Sequence, residues 1–377
     1  MPDHRDPRPP APPPAGPPPG RLRNGPPEAQ GPRRARPPAP LAPSGGPAGA
    51  GPADRRAAPD ALVLRALGLG DFLAAVPALR ALQRALPGHR LHLAAPAAQR
   101  ALLDLAGLAW PVAPTDPLRP PAWSGPRPPE LAVNLHGSGP QSVRTLQALA
   151  PARLWTHAHP DLPGVPGPTW DADLHETDRW CRLLHHHGVP ADPADLRLDP
   201  PPTPSPRPGA AVLHPGAAAP ARRWPPDRFA AAARHLTARG HRVVVTGGPG
   251  ERALAERVAR DAGLPGDDVL AGRTPLPVLA ALIADAALVL CGDTGVAHLA
   301  TAYGTPSVRL FGPVPPALWG PRTDHDRHVC LWAGTTGDPH ADRPDPGLLR
   351  VTTEAVLDAL DALGTLPAAP RAAADPR

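Results

Sequence analysis

Four short segments combine residue types that could do chemistry. The first is Arg65-Ala66-Leu67-Gly68-Leu69-Gly70-Asp71. Its two glycines let the backbone turn tightly, and Asp71 falls at the start of a helix. A carboxylate there is either a helix cap or, facing a cleft, a general base. It is ionised at neutral pH, since its reference pKa is about 3.9. Position 73 is Leu, so Gly68-x-Gly70 is not the dinucleotide fingerprint, and a nicotinamide-dependent oxidoreductase is disfavoured. The second segment is His214-Pro215-Gly216-Ala217, followed by Arg222-Arg223-Trp224-Pro225. Small residues allow close backbone approach to a ligand. Arg222 or Arg223 could fork onto a phosphate, and Trp224 could stack on a base or pack under the loop. The bland alternative is a surface Arg pair beside a buried Trp.

The third segment, Gly247-Gly248-Pro249-Gly250-Glu251, is a Gly-rich strand-to-helix turn of the kind found at nucleotide sites and equally as a plain turn. Glu251 could bond a ribose hydroxyl pair or simply favour the helix amino terminus. The fourth is Cys291-Gly292-Asp293-Thr294-Gly295-Val296-Ala297-His298. A strand ends, Asp293 or Thr294 caps, and a helix begins with His298 in its first turn. The free N–H groups and the dipole of that turn suit a diphosphate, although a capped core helix with an incidental His has the same sequence. His185, His186 and His187 are consecutive on a helix. They point about 100° apart and cannot chelate one ion together.

These segments sit in an alternating pattern of elements. Strands are expected at 62–64, 91–94 and 131–135, and helices at 72–86, 97–106, 140–149 and 173–188. Pro77 is placed early in the first helix, and 111–129 is read as a long Pro-rich loop. Pro-Pro-Pro-Thr-Pro-Ser-Pro-Arg-Pro at 200–208 reads as a linker. The pattern then restarts, with strands at 211–214, 242–246, 287–291 and 307–311. Helices follow at 227–238, 250–262, 276–284, 295–303 and 353–363. The alternation implies an α/β protein with parallel sheets in two consecutive halves. The cleft between them, beyond the carboxyl ends of the strands, is the default site.

Composition narrows the remaining classes. The chain has 377 residues, about right for two domains. All 39 basic residues are Arg, which points to GC-rich coding and weakens arguments from any single Arg. The net charge is +5, but residues 1–60 hold nine Arg against five acids. The rest is nearly neutral, and no aromatic residue interleaves the basic stretch, so no nucleic-acid partner is expected. Residues 1–58 are dense in Pro and read as a disordered tail; residues 366–377 read likewise. Three dispersed Cys, without a CxxC, exclude a disulfide scaffold and a Cys-based zinc site and fit a reducing compartment. Neither a transmembrane helix nor a signal peptide is expected.

Taken in order, the segments resemble glycosyltransferase family 9, the ADP-heptose:lipopolysaccharide heptosyltransferases and their relatives. The resemblance rests on LVLRALGLGDFLAAVPALRAL at 62–82, ELAVNLHGSG at 130–139, HETDRWCRLLHHHGV at 175–189 and HPGAAAPARRWP at 214–225. It continues in TGGPGE at 246–251 and GDTGVAHLATAYGTPSVRLFGP at 292–313. It implies a GT-B architecture of two Rossmann-like domains facing a central cleft, an acceptor domain at 59–205 and a donor domain at 206–365. It also implies an inverting transfer of a sugar, heptose by resemblance, from a nucleotide-diphosphate donor such as ADP-heptose. The acceptor would be a hydroxyl of a cell-surface glycan or glycolipid, as in lipopolysaccharide core biosynthesis.

By the same resemblance Asp71 is the base, and Asp293, Thr294, Gly295 and His298 bind the donor. Arg222, where many members have Lys, contacts the donor's phosphates or sugar, and Glu251 holds its ribose. His214, Gly216, Gly247 and Gly248 support the phosphate loops; Gly68, Gly70 and His136 lie on the acceptor side. Domain closure would bring Asp71 to the donor and exclude water. No metal or cofactor is implied. A monomer in the cytoplasm is expected, with transient contact at the inner face of the membrane for a lipid-linked acceptor. The alternatives are another GT-B nucleotide-sugar enzyme, such as an epimerase, and a non-catalytic nucleotide-binding scaffold.

Overall fold

The computed structural model describes residues 58–116 and 119–364. The expected tails at 1–58 and 366–377 lie outside them, apart from Ala58. Two five-stranded sheets carry the fold, and every strand pairing within them is parallel.

The first sheet has the order β3-β2-β1-β4-β5. Its strands are β1 (Asp60–Leu64), β2 (Arg90–Ala95), β3 (Val112–Pro114), β4 (Leu131–Asn134) and β5 (Arg153–Trp155). The second has the order β10-β9-β8-β6-β7. It comprises β6 (Ala211–His214), β7 (Val243–Val245), β8 (Leu288–Gly292), β9 (Ser307–Phe311) and β10 (His328–Trp332). The strand order reverses beside β1 in one sheet and beside β6 in the other. Such switch points open a crevice at the carboxyl ends of the strands. The central strands β1, β4, β6 and β8 are buried along their whole length, as continuous apolar runs between helices must be.

Two helices join the halves. Helix α1 (Leu69–Ala85) follows β1. Its buried Phe72, Leu73 and Val76 belong to one core cluster with Val296, Leu299 and Ala300. Those three lie on the helix Gly295–Tyr303, which follows β8 and is numbered α8 in chain order. The contact closes to backbone distance at the amino termini. A Cβ on Gly295 would stand 2.7 Å from Leu69 Cβ and 3.0 Å from Gly70 N. The other helices are α2 (Arg100–Leu105), α3 (Gln141–Gln147), α4 (Glu176–His186), α5 (Pro226–Ala238), α6 (Arg252–Ala262), α7 (Leu276–Ala284), α9 (Pro316–Trp319), α10 (Pro346–Leu349) and α11 (Thr353–Gly364).

Four expectations change. The segment 111–129 is not loop throughout, because β3 pairs with β2 at its start. Pro114 is tolerated there because β3 lies at the sheet edge. The edge strands β5 and β10 were not anticipated; three residues carry too little periodicity for β5, and polar His328 opens β10. The helix expected at 72–86 begins at Leu69, so Pro77, expected early in the helix, lies deeper in its interior. The segment 200–208 is pinned rather than free, since the Arg207 guanidinium bonds Asp268 Oδ1 at 3.1 Å. Just before it, Leu198 N–H donates to Ala302 O and Asp199 N–H to Leu105 O, tying the crossover to both halves.

Candidate functional site

The carboxyl ends of β1, β6 and β8 open into one cleft of about 630 Å³. From the first half it is lined by Gly68, Gly70 and Asp71. From the second half come His214, Arg222, Glu251, Asp293, Thr294, Gly295 and His298. Thus the base candidate Asp71 and all the donor-binding candidates share a single cavity. Leu279, Val314, Trp319, Pro339 and His340 also line it, and no motif singles them out. Because α1 and α8 already touch, no closure is required to bring their amino termini together.

Asp71 does two things at once. Its Oδ2 accepts the Gly68 N–H at 3.1 Å, so the capping role is real, with Gly68 at the N-cap position. Its side chain is also 32% exposed and lines the cleft. Burial raises its pKa, the Arg65 cation opposes that rise and Glu176 adds to it. A carboxylate lifted above its ordinary value is a stronger proton acceptor.

Behind Asp71 lies a buried group that sequence reading missed. Arg65 has no exposed surface. Its guanidinium donates to the Asp71 carbonyl from Nε at 2.9 Å and from Nη2 at 2.6 Å, and to the Leu135 carbonyl at 2.5 Å. The same Nη2 bonds Glu176 Oε1 at 3.0 Å and lies 3.5 Å from Asp71 Oδ1. Glu176 is buried at the start of α4, where it also accepts from Arg179 and from Trp180 Nε1. The signal was present in the quoted segments 62–82 and 175–189. The two residues are 111 positions apart, and no local pattern joins them.

On the second half, Thr294 takes the N-cap position of α8 but makes no capping hydrogen bond. Its Oγ1 is buried without a partner. Asp293 does not cap either. Its carboxylate turns to Arg222, with Nη1 3.7 Å from Oδ2. Burial raises the Asp293 pKa, Arg222 pulls it down, and Asp71 pushes it up again. Arg222 Nε is also buried without a partner. The Arg pair is therefore resolved. Arg222 lines the cleft, while Arg223 clamps the loop through two bonds to the Ala217 carbonyl at 3.0 and 2.8 Å. Trp224 packs under the loop; it is buried and donates from Nε1 to the Val351 carbonyl at 2.9 Å.

Glu251 Oε2 accepts the Gly248 N–H at 2.7 Å, which fixes the turn. Gly216 lies against the Glu251 carboxyl, where a Cβ would collide, and a Cβ on Gly247 would stand 3.1 Å from Glu251 Cβ. His214 Nδ1 bonds Thr246 Oγ1 at 3.0 Å, and its Nε2 faces Glu251 Oε2 at 4.0 Å. Gly216, Gly247 and Gly248 thus support the site without lining it. His136 does not line the cleft; it is buried, and its Nδ1 accepts the Ala66 N–H at 3.2 Å. His298 stands edge-on to Trp319, with ring centroids 5.8 Å apart. Burial and the Arg309 cation lower its pKa to about 3, so it is a neutral imidazole. His185 and His186 are exposed, and His187 stacks on Trp155 at 4.6 Å. Among the described residues no group of three or more His, Cys, Asp or Glu could hold a metal ion.

The class follows from these features: an α/β protein with two parallel sheets whose switch points converge on one polar, cation-bearing cleft. The comparisons carry it further. Residues 172–345 match the model of glycosyltransferase family 9 (heptosyltransferase). It is 32% identical over 146 residues to lipopolysaccharide heptosyltransferase 3 of Escherichia coli, covering 38% of this chain and 42% of that protein. The chain thus spans about two fifths of the length of the curated relatives it matches. Its fold is similar to that of a family 9 glycosyl transferase from Veillonella parvula, with TM-score 0.65 and 20% identity over 81% of this chain and 97% of that one. It is also similar to the Escherichia coli ADP-heptose lipopolysaccharide heptosyltransferase II, with TM-score 0.63 and 22% identity over 81% and 98%.

Proposed function

We propose that the protein is an inverting glycosyltransferase that moves a heptosyl group from ADP-heptose to a hydroxyl of a cell-surface glycan or glycolipid, as in lipopolysaccharide core biosynthesis. One observation carries the reading. A carboxylate with a raised pKa faces, across a single cleft, an uncapped helix amino terminus flanked by Arg222. The buried, unpartnered Thr294 Oγ1 and Arg222 Nε are the donors that an anion would satisfy.

The chemistry is a single displacement. The acceptor oxygen attacks the anomeric carbon and gives its proton to Asp71. The new C–O bond forms as the bond to the diphosphate breaks, and the diphosphate leaves with the electron pair. Its charge meets Arg222, the Thr294 hydroxyl and the first-turn N–H groups of α8. Attack opposite the leaving group inverts the anomeric centre. Glu251 holds the donor ribose through the oxygen not used by Gly248. His298, uncharged, donates or accepts a hydrogen bond without adding charge.

In this reading residues 59–205 form the acceptor domain and 206–365 the donor domain, in a GT-B arrangement. The enzyme acts as a monomer, without a metal or other cofactor, in the cytoplasm at the inner face of the membrane. Among the described residues no helix is long and apolar enough to cross a membrane. The test is donor turnover with ADP-heptose, UDP-sugars and GDP-sugars, each with and without envelope extract. Acceptor-dependent nucleotide release from ADP-heptose supports the reading, and donor consumption without acceptor overturns it.

A further inference from the structure

Arg309, on β9, is a cation buried where nothing of opposite charge bonds it. Its side chain has no exposed surface. Nε donates to Ser307 Oγ at 2.9 Å and Nη2 to Thr301 Oγ1 at 2.7 Å, both neutral hydroxyls. Nη1 is buried without any partner. On either side the sheet register sets Cys291 and Cys330 beside it, and burial raises the pKa of both thiols, so neither supplies a counter-charge. An unpaired cation in a protein interior is strongly unfavourable, and an apolar residue of the same shape would be more stable.

Its place in the fold suggests what the charge serves. Thr301 lies on α8, so the guanidinium sits between the sheet and that helix. Cys291, its partner across the ladder, is two residues before Asp293 on the strand that leads into the α8 amino terminus. The Arg309 field reaches both Asp293 and His298 at the cleft. Among the described residues Asp293 is the one carboxylate within reach of that field, and a dianionic ligand at the first turn of α8 would add the counter-charge that no bonded partner supplies.

We propose that Arg309 is a buried electrostatic anchor for the diphosphate of the donor, acting through α8 without touching the ligand. It is a positioning residue, and the inference rests on the reading of the cleft as a nucleoside-diphosphate site. A cation beneath the floor attracts the ligand in proportion to its charge. The effect therefore grows from adenosine to AMP to ADP, which a packing role would not produce.

The experiment is calorimetric titration of the full chain with ADP, AMP and adenosine, in wild type, Arg309→Met and Arg309→Lys. Arg309→Met is expected to weaken ADP about tenfold and AMP less, to leave adenosine unchanged, and not to lower the melting temperature of the free protein. Arg309→Lys is expected to keep ADP within about threefold of wild type. Equal weakening of ADP and adenosine, or unchanged ADP binding in Arg309→Met, overturns the proposal while leaving the site reading intact. Wild type that binds ADP no better than adenosine overturns both. If Arg309→Met fails to fold, Arg309→Gln takes its place with the same expectations.

Discussion

Replacing Arg65 by Met removes a cation that is fully buried and holds three segments together. It bonds the Leu135 carbonyl after β4, the Asp71 carbonyl in α1 and the Glu176 carboxylate in α4. Two carbonyls and one carboxylate oxygen lose a charged donor. Breaking a buried pair by removing one partner costs about 3–5 kcal/mol. That is a large part of a typical stability of about 5–15 kcal/mol. Much of the cost is the stranded charge of Glu176, which keeps only Arg179 and Trp180. Glu176→Gln removes that charge while keeping the shape. The two changes should therefore be strongly non-additive, with a coupling energy of about 2 kcal/mol. The assay is a four-member cycle of wild type, Arg65→Met, Glu176→Gln and the double variant, unfolded in urea. Tryptophan emission reports the transition, since Trp180 lies 4.9 Å from the Arg65 guanidinium carbon. Additivity to within about 0.5 kcal/mol would refute the reasoning, because it would mean the pair does not act as a unit.

Other expectations follow from the same geometry. Burial lowers the pKa of His136 and His157 to about 4 and of His328 to about 2, from 6.5. The native state therefore binds fewer protons than the unfolded chain below pH 6.5, so the stability these groups contribute is complete above that pH and lost as pH falls. Between pH 7.5 and 5.5 the three together should remove roughly 4 kcal/mol, read as urea midpoints; a flat profile would contradict it. Asp71 has the opposite sign. Its raised pKa makes the ionised form a cost above pH 3.8, so Asp71→Asn should melt higher than wild type at pH 7.5, with the gap narrowing in acid. Because His298 is neutral down to about 3, the acid limb of turnover should follow carboxylates, and His298→Gln should leave its position unchanged. Gly295→Ala should cut turnover at least tenfold, since the new Cβ would force the α1 and α8 amino termini apart. Turnover equal to wild type would show that this contact is not needed.

Much of the site was readable because its residues follow strands directly. His214 ends β6, and Asp71 and Asp293 come shortly after β1 and β8, all three being strands buried along their whole length with clear apolar runs. The glycines beside them were readable for the same reason, since close approach leaves no alternative residue. What could not be read depends on distant pairing. Arg65 and Glu176 look like a strand-end Arg and a helix-start Glu until the fold joins them. Trp319 and His340 reach the cleft from the region after β9, where no periodic pattern leads to them. The edge strands β3, β5 and β10 are short or polar and gain their conformation from a neighbour rather than from their own composition. Propensity also misled at Thr294, a good capping residue whose hydroxyl is left unpaired at the α8 amino terminus.

The central claim is that Asp71 takes the acceptor's proton while the α8 end of the cleft holds the donor. Its most direct test is Asp71→Asn assayed side by side for ADP-heptose binding and acceptor-dependent ADP release. The account predicts donor affinity within about threefold of wild type and turnover reduced by at least about a hundredfold, the scale of general-base catalysis. Turnover near that of wild type in a variant that binds donor normally would contradict it, and would leave Asp71 with its bond to the Gly68 N–H and its ion pair with Arg65.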